Sequence, residues 1–127
     1  MIVGLGTDII AVERMRSAYA RHGERLLLRI LAEEERQELV TVADVPRFLA
    51  KRFAVKEAAA KALGRGLRGL SWQDVFLRHD ALGRPLLAWS SRWHRQLLER
   101  QWQCWVSLSD ERDYAIATVI IETGSSD

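Results

Sequence analysis

Along residues 2–10 the apolar positions alternate. Val3, Leu5 and Ile9 fall on one face of a strand, while the other carries Gly4, Gly6 and Asp8, bracketed by Ile2 and Ile10. Two glycines on one strand face weaken a strand unless another element must approach closely there. The reading is a buried first strand with Asp8 at the end of an open strip. From Val12 to His22 the period changes to that of a helix: Met15, Ala18, Tyr19 and His22 form an apolar stripe and Gly23 ends it. "LLLRIL" packs, and "AEEERQEL" reads as an acidic, solvated turn of helix.

Asp44 and Pro46 mark the start of the next helix, with Asp as cap and Pro in the first turn. It runs through "RFLAKRFAVKEAAAKAL" to Gly64, the expected C-terminal glycine, and a loop, "GRGLRG", follows. "WQDVFLRHD" and "LLAW" read as strands joined by the turn "ALGRP", with a helix from about Ser91 to Arg100. The remainder is a hairpin. "QCWVSLS" alternates, "DERD" turns, and "YAIATVIIE" is apolar on both faces, as in a central strand covered on both sides. Strands near both ends with helices between them give an α+β class, a small antiparallel sheet packed with helices. One domain over residues 1–122 and a frayed polar tail over 123–127 are expected.

Composition narrows the function classes. The 127 residues suit one domain with a modest core. A net charge of +2 gives no global argument for nucleic acid or membrane. No apolar run is long enough to span a bilayer, and "MIVGLGTDII" lacks the basic region and cleavage site of a secretory signal. The single cysteine, Cys104, rules out an internal disulfide, reads as a small core hydrophobe, and points to the cytoplasm. His22, His79 and His94 lack metal-ligand spacing, and no Walker A loop, Rossmann fingerprint or nucleophile elbow is present.

The candidate chemistry sits in "FAVKEAAAK". Phe53, Glu57 and Lys61 recur at i, i+4 and i+8 and share a helix face. Glu57 and Lys61 have the order of a surface ion pair, and Asp8 alone is compatible with a carboxylate capping a strand end. The alternative joins them. Ala54, Ala58 and Ala62 form an adjacent strip that can pack on the glycine strip, and that packing would bring Asp8 and Glu57 together. Two carboxylates from different elements are what Mg²⁺ takes from a protein when phosphate oxygens and water supply the rest. A lysine one turn further meets phosphate charge.

Three blocks in this order, "GLGTDII", "RFLAKRFAVKEAAAKALGRG" and "VSLSDERDYAIATVIIE", resemble the bacterial holo-[acyl-carrier-protein] synthase family of small 4′-phosphopantetheinyl transferases, and the resemblance covers nearly the whole chain. It implies transfer of the phosphopantetheine arm of coenzyme A to a serine of apo acyl carrier protein, with release of adenosine 3′,5′-bisphosphate. It also implies Mg²⁺ and a homotrimer with a coenzyme A site at each subunit interface. Asp8 and Glu57 match the metal carboxylates, and Lys61 the lysine near the pyrophosphate. Arg52, the loop Gly64, Arg65 and Gly66, and the turn Gly83, Arg84 and Pro85 match coenzyme A contacts. The base that deprotonates the serine stays open between Glu57 and a water on the metal. Lys56 receives no part in the chemistry.

Acyl carrier proteins are acidic, and residues 12–31 hold five arginines against two acids. Arg14, Arg21 and Arg25 are therefore expected to steer and dock the carrier protein; a solvated basic face is the plain alternative. One position departs from the family. Where it has histidine, this chain has Trp105, on the strand face of Ser107 and Ser109 that would line the coenzyme A site from the neighbouring subunit. Tryptophan neither accepts a proton nor carries charge, so altered coenzyme A affinity is expected. Two other classes compete: a nucleic-acid-binding module, which leaves Asp8 and Glu57 unexplained, and a non-catalytic scaffold for coenzyme A or the carrier protein.

Overall fold

The structure is a computed structural model, and it describes residues 1–64 and 69–124. In chain order the elements are β1 (Ile2–Ala11), α1 (Val12–His22), α2 (Glu24–Ile30), a short α3 (Glu33–Arg36), α4 (Val45–Ala62), β2 (Val75–His79), β3 (Pro85–Trp89), α5 (Ser91–Glu99), β4 (Trp102–Asp110) and β5 (Tyr114–Thr123). The fold is α+β. β1, β5 and β4 form an antiparallel sheet in that order, and β2 pairs with β3 in a separate hairpin.

The helix that organises the molecule is α4. The Asp44 carboxylate accepts from the Arg47 amide and Pro46 sits in the first turn. At the other end Gly64 takes a positive φ of 76°, which glycine adopts without Cβ strain. The alanine and glycine strips do pack. Ala54, Ala58 and Ala62 are buried, and a Cβ at Gly4 or Gly6 would collide with the Ala62 or Ala58 carbonyl. Only glycine lets the strand lie directly on the helix backbone here. The same helix covers one face of β5 through Ala115, Ala117, Val119 and Ile121, all buried.

The sequence reading requires four corrections. First, β5 is central but covered on one face only. The opposite sheet face is open, with rows Leu5–Ile120–Trp105, Thr7–Thr118–Ser107 and Ile9–Ile116–Ser109 set by the strand register. Second, β1 is accordingly not buried: Leu5 and Ile9 are 63% and 59% exposed. Third, β2 begins at Val75, because Trp72–Asp74 form a short 3₁₀ turn whose Asp74 carboxylate accepts from the Ser71 amide. Fourth, the acidic segment is not wholly solvated. Glu35 has no exposed surface and binds Lys56 Nζ at 2.7 Å and Arg52 Nη1 at 3.3 Å. Arg52 also pairs with Glu38 at 3.0 Å. Buried charges are tolerated when they neutralise one another with their hydrogen bonds satisfied.

Candidate active site

β1 and α4 bring Asp8, Glu57 and Lys61 to one place. Lys61 does not pair with Glu57, as helix spacing alone would allow. It crosses to β1, where Nζ donates to the Thr7 carbonyl at 3.0 Å and to Asp8 Oδ1 at 3.2 Å. Asp8 points inward because it lies two and four residues from the glycines that face α4. Glu57 is half-buried and has no hydrogen-bond or ion-pair partner among the described residues. Its carboxyl pKa is raised, mainly by burial and then by the Asp8 charge, with Lys61 opposing. Burial without a counter-charge of its own thus disfavours the ionised Glu57 carboxylate.

This donor set fits a hard divalent cation. Two carboxylates from different elements converge, Glu57 lacks a partner, and the Asp8 charge disfavours that of Glu57. Among the described residues no group of three or more His, Cys, Asp or Glu side chains surrounds a point. A cation here would therefore take its other oxygens from substrate and water, as Mg²⁺ commonly does.

The remaining predicted residues divide into groups. Arg52 is buried and committed to Glu35 and Glu38, and its guanidinium lies 4.4 Å from the Phe48 ring centre. Gly64 follows the end of α4, one turn beyond Lys61, while Arg65 and Gly66 lie outside the described residues. The turn at Gly83, Arg84 and Pro85 is shaped by Asp80, whose Oδ1 accepts from the Leu82 and Arg84 amides at 2.9 Å each. Arg84 reaches over the Trp105 ring at 5.6 Å, and Trp105 Nε1 donates to Glu122 at 2.7 Å. Trp105 and Ser107 project from the open face of the sheet, opposite Asp8 and Glu57. One chain does not bring these two groups together.

Beside the acidic pair runs a cleft that the sequence reading missed. It has a volume of about 240 Å³, and its lining includes Ile10, Arg14, Met15, Phe53 and Trp72. Ile10 shares its strand face with Asp8, and Phe53 stands one helical turn before Glu57, so two residues of the lining neighbour the carboxylates along β1 and α4. Arg14, Arg21 and Arg25 are exposed along α1 and α2; Arg14 lines the cleft, and Arg25 lines a neighbouring hollow with His22, Leu26 and Arg29. The signal for the cleft was Phe53 on the Glu57 face; its partner Trp72 is too distant in sequence for periodicity to find.

Comparison with known proteins is decisive. Residues 4–119 match the model of the 4′-phosphopantetheinyl transferase superfamily, ACPS. The chain belongs to that superfamily. It is 49% identical to the holo-[acyl-carrier-protein] synthase of Acidithiobacillus ferrooxidans, over 98% of this chain and 99% of that protein. To the synthase of Vibrio cholerae it is 48% identical, over 96% and 98%. The crystal structure of the Neisseria meningitidis synthase superposes with a TM-score of 0.92 at 38% identity, covering 97% of this chain and all of that one. The Bacillus anthracis synthase, solved in complex with coenzyme A (3′,5′-ADP), gives 0.82 at 32% identity, over 98% and 99%. The family resemblance carried by the three sequence blocks is thus borne out along the whole transferase fold.

Proposed function

We propose that this chain is a holo-[acyl-carrier-protein] synthase, transferring 4′-phosphopantetheine from coenzyme A to a serine of apo acyl carrier protein. The observation that carries this reading is the convergence of Asp8, Glu57 and Lys61 where the arginine-rimmed cleft meets the sheet. Full-length relatives of the same activity support it.

In the reaction the serine Oγ forms a bond to the β-phosphorus of coenzyme A. The bond from that phosphorus to the oxygen bridging the α-phosphate breaks. Adenosine 3′,5′-bisphosphate leaves with the electron pair, and the serine proton passes to Glu57 or to a water. Asp8 and Glu57 would hold a divalent metal, and Mg²⁺ bound there would supply charge neutralisation and orientation of the pyrophosphate. Lys61, more than half exposed and already aimed at Asp8, would stabilise the charge of the departing phosphate. Arg14, Arg21 and Arg25 attract the acidic carrier protein, and the apolar cleft between them and Glu57 receives its docking face. The apparatus works in the cytoplasm.

A homotrimer completes the site. The open sheet face exposes Leu5 and Trp105 on one side of the Thr7–Thr118–Ser107 row and Ile9 and Ile116 on the other, apolar surface of the kind that association covers. In the trimer that the family resemblance implies, Trp105, Ser107 and the Gly83–Pro85 turn would border a neighbour's Asp8 and Glu57 at the subunit boundary. Among the described residues no helix is long and apolar enough to cross a membrane.

The test is release of adenosine 3′,5′-bisphosphate from coenzyme A and apo carrier protein, alongside calorimetric titration of Mg²⁺. Asp8→Asn and Glu57→Gln are each expected to lose about 10²-fold or more in rate and to weaken the Mg²⁺ isotherm. Wild-type rate and isotherm in both variants would remove the carboxylates from the mechanism.

A further inference from the structure

Lys56 precedes Glu57 in sequence, yet it is 1% exposed and turned into the interior. Its three ammonium hydrogens meet three acceptors: Glu35 Oε1 at 2.7 Å, the Trp72 carbonyl at 2.7 Å and the Val75 carbonyl at 2.6 Å. The Trp72 carbonyl belongs to the turn that leads into β2, and the Val75 carbonyl to the first residue of β2. Gln73, on the same turn, donates to the Leu28 and Arg29 carbonyls of α2 at 3.0 and 2.5 Å. Asp74 ties the turn to Ser90 Oγ at 2.8 Å. The side chain held by all this is Trp72. Its ring stacks on Phe53, with centroids 5.0 Å apart and planes at 24°, and the two rings wall the cleft beside Glu57.

We propose that Lys56 is a positioning residue of the transfer reaction: by holding the Trp72 and Val75 carbonyls it fixes the Trp72–Phe53 wall, and so governs binding of the carrier protein rather than of coenzyme A. The proposal rests on the reading that the carrier protein docks in this cleft. Adjacent residues of α4 thereby divide the labour. Glu57 faces the reacting groups, and Lys56 shapes the surface that presents the serine to them. The buried carboxylate of Glu35 supplies the charge that lets an ammonium occupy this place.

Steady-state kinetics with each substrate varied in turn separate this role from a general loss of structure. Lys56→Met, made in a Glu35→Gln background so that no buried carboxylate is stranded, is expected to raise the KM for apo carrier protein about tenfold, leaving the coenzyme A KM within about twofold. Glu35→Gln alone removes the counter-ion of the Lys56 ammonium, so it is the reference for the double variant, and the effect of Lys56 is read as the further rise in carrier KM from Glu35→Gln to the double variant. Lys56→Gln, which retains an N–H donor, is expected to recover part of the loss. Equal changes in both KM values, or an unchanged carrier KM in the folded double variant, would overturn the proposal.

Should the Lys56 variants fail to fold, Gln73→Ala loosens the same turn from its exposed side. A raised carrier KM with constant coenzyme A KM supports the proposal there, and an unchanged carrier KM refutes it. Arg21→Glu separates the two readings. If it leaves the carrier KM unchanged, the docking surface is misplaced and the proposal falls with it. If it raises that KM while the Lys56 and Gln73 variants do not, docking stands and the positioning role alone is wrong.

Discussion

Lys61 shows how a residue's partner differs from its neighbour in sequence. At i+4 from Glu57 it has the spacing of a helical ion pair, worth a few tenths of a kcal/mol. It instead bridges to β1, binding Asp8 and the Thr7 carbonyl. Trp105 carries the sharpest prediction at this scale. Its indole is held by Glu122, with the Arg84 guanidinium 5.6 Å from the ring centre. Trp105→His replaces a neutral donor with a smaller ring that can carry charge. The KM for coenzyme A is expected to shift about threefold or more with little change in kcat. An unchanged KM would mean that Trp105 does not border the coenzyme A site.

At the scale of elements, helical and strand periods suffice to pair the glycine strip of β1 with the alanine strip of α4, and so to bring Asp8 towards Glu57. They could not find the Glu35–Lys56–Arg52 cluster. Glu33, Glu34 and Glu35 are three acids in a row, and only the docking of α3 against α4 and β2 distinguishes the buried one. Nor could alternation tell which apolar face of β1 is covered; the steric demand at Gly4 and Gly6 decides that. The cap of α4 gives a measurable consequence. Arg16, then the Arg47 amide, hold the Asp44 carboxyl below its usual value of 3.8. Its stabilisation is therefore fully present above the unfolded value and disappears as pH falls through the lower folded one. Asp44→Ala is expected to cost about 1 kcal/mol in urea unfolding at pH 7, with the gap from wild type narrowing below about pH 4. A gap independent of pH would mean that the charge of Asp44 contributes nothing.

For the whole molecule, the open sheet face and the separation of Trp105 and Ser107 from Asp8 and Glu57 make one chain an incomplete enzyme on our account. Ile116 sits in the middle row of strands on that face, 39% exposed. Ile116→Arg is expected to yield monomers in light scattering while the circular dichroism of the fold is kept, with activity lost. An active monomer would contradict the shared site.

The most direct test of the central claim is the intact mass of apo acyl carrier protein after incubation with this protein, coenzyme A and Mg²⁺. The account predicts a gain of one phosphopantetheine on the carrier serine, abolished by EDTA and by Glu57→Gln. A carrier protein whose mass is unchanged under every divalent metal tried, with the enzyme folded, would contradict it.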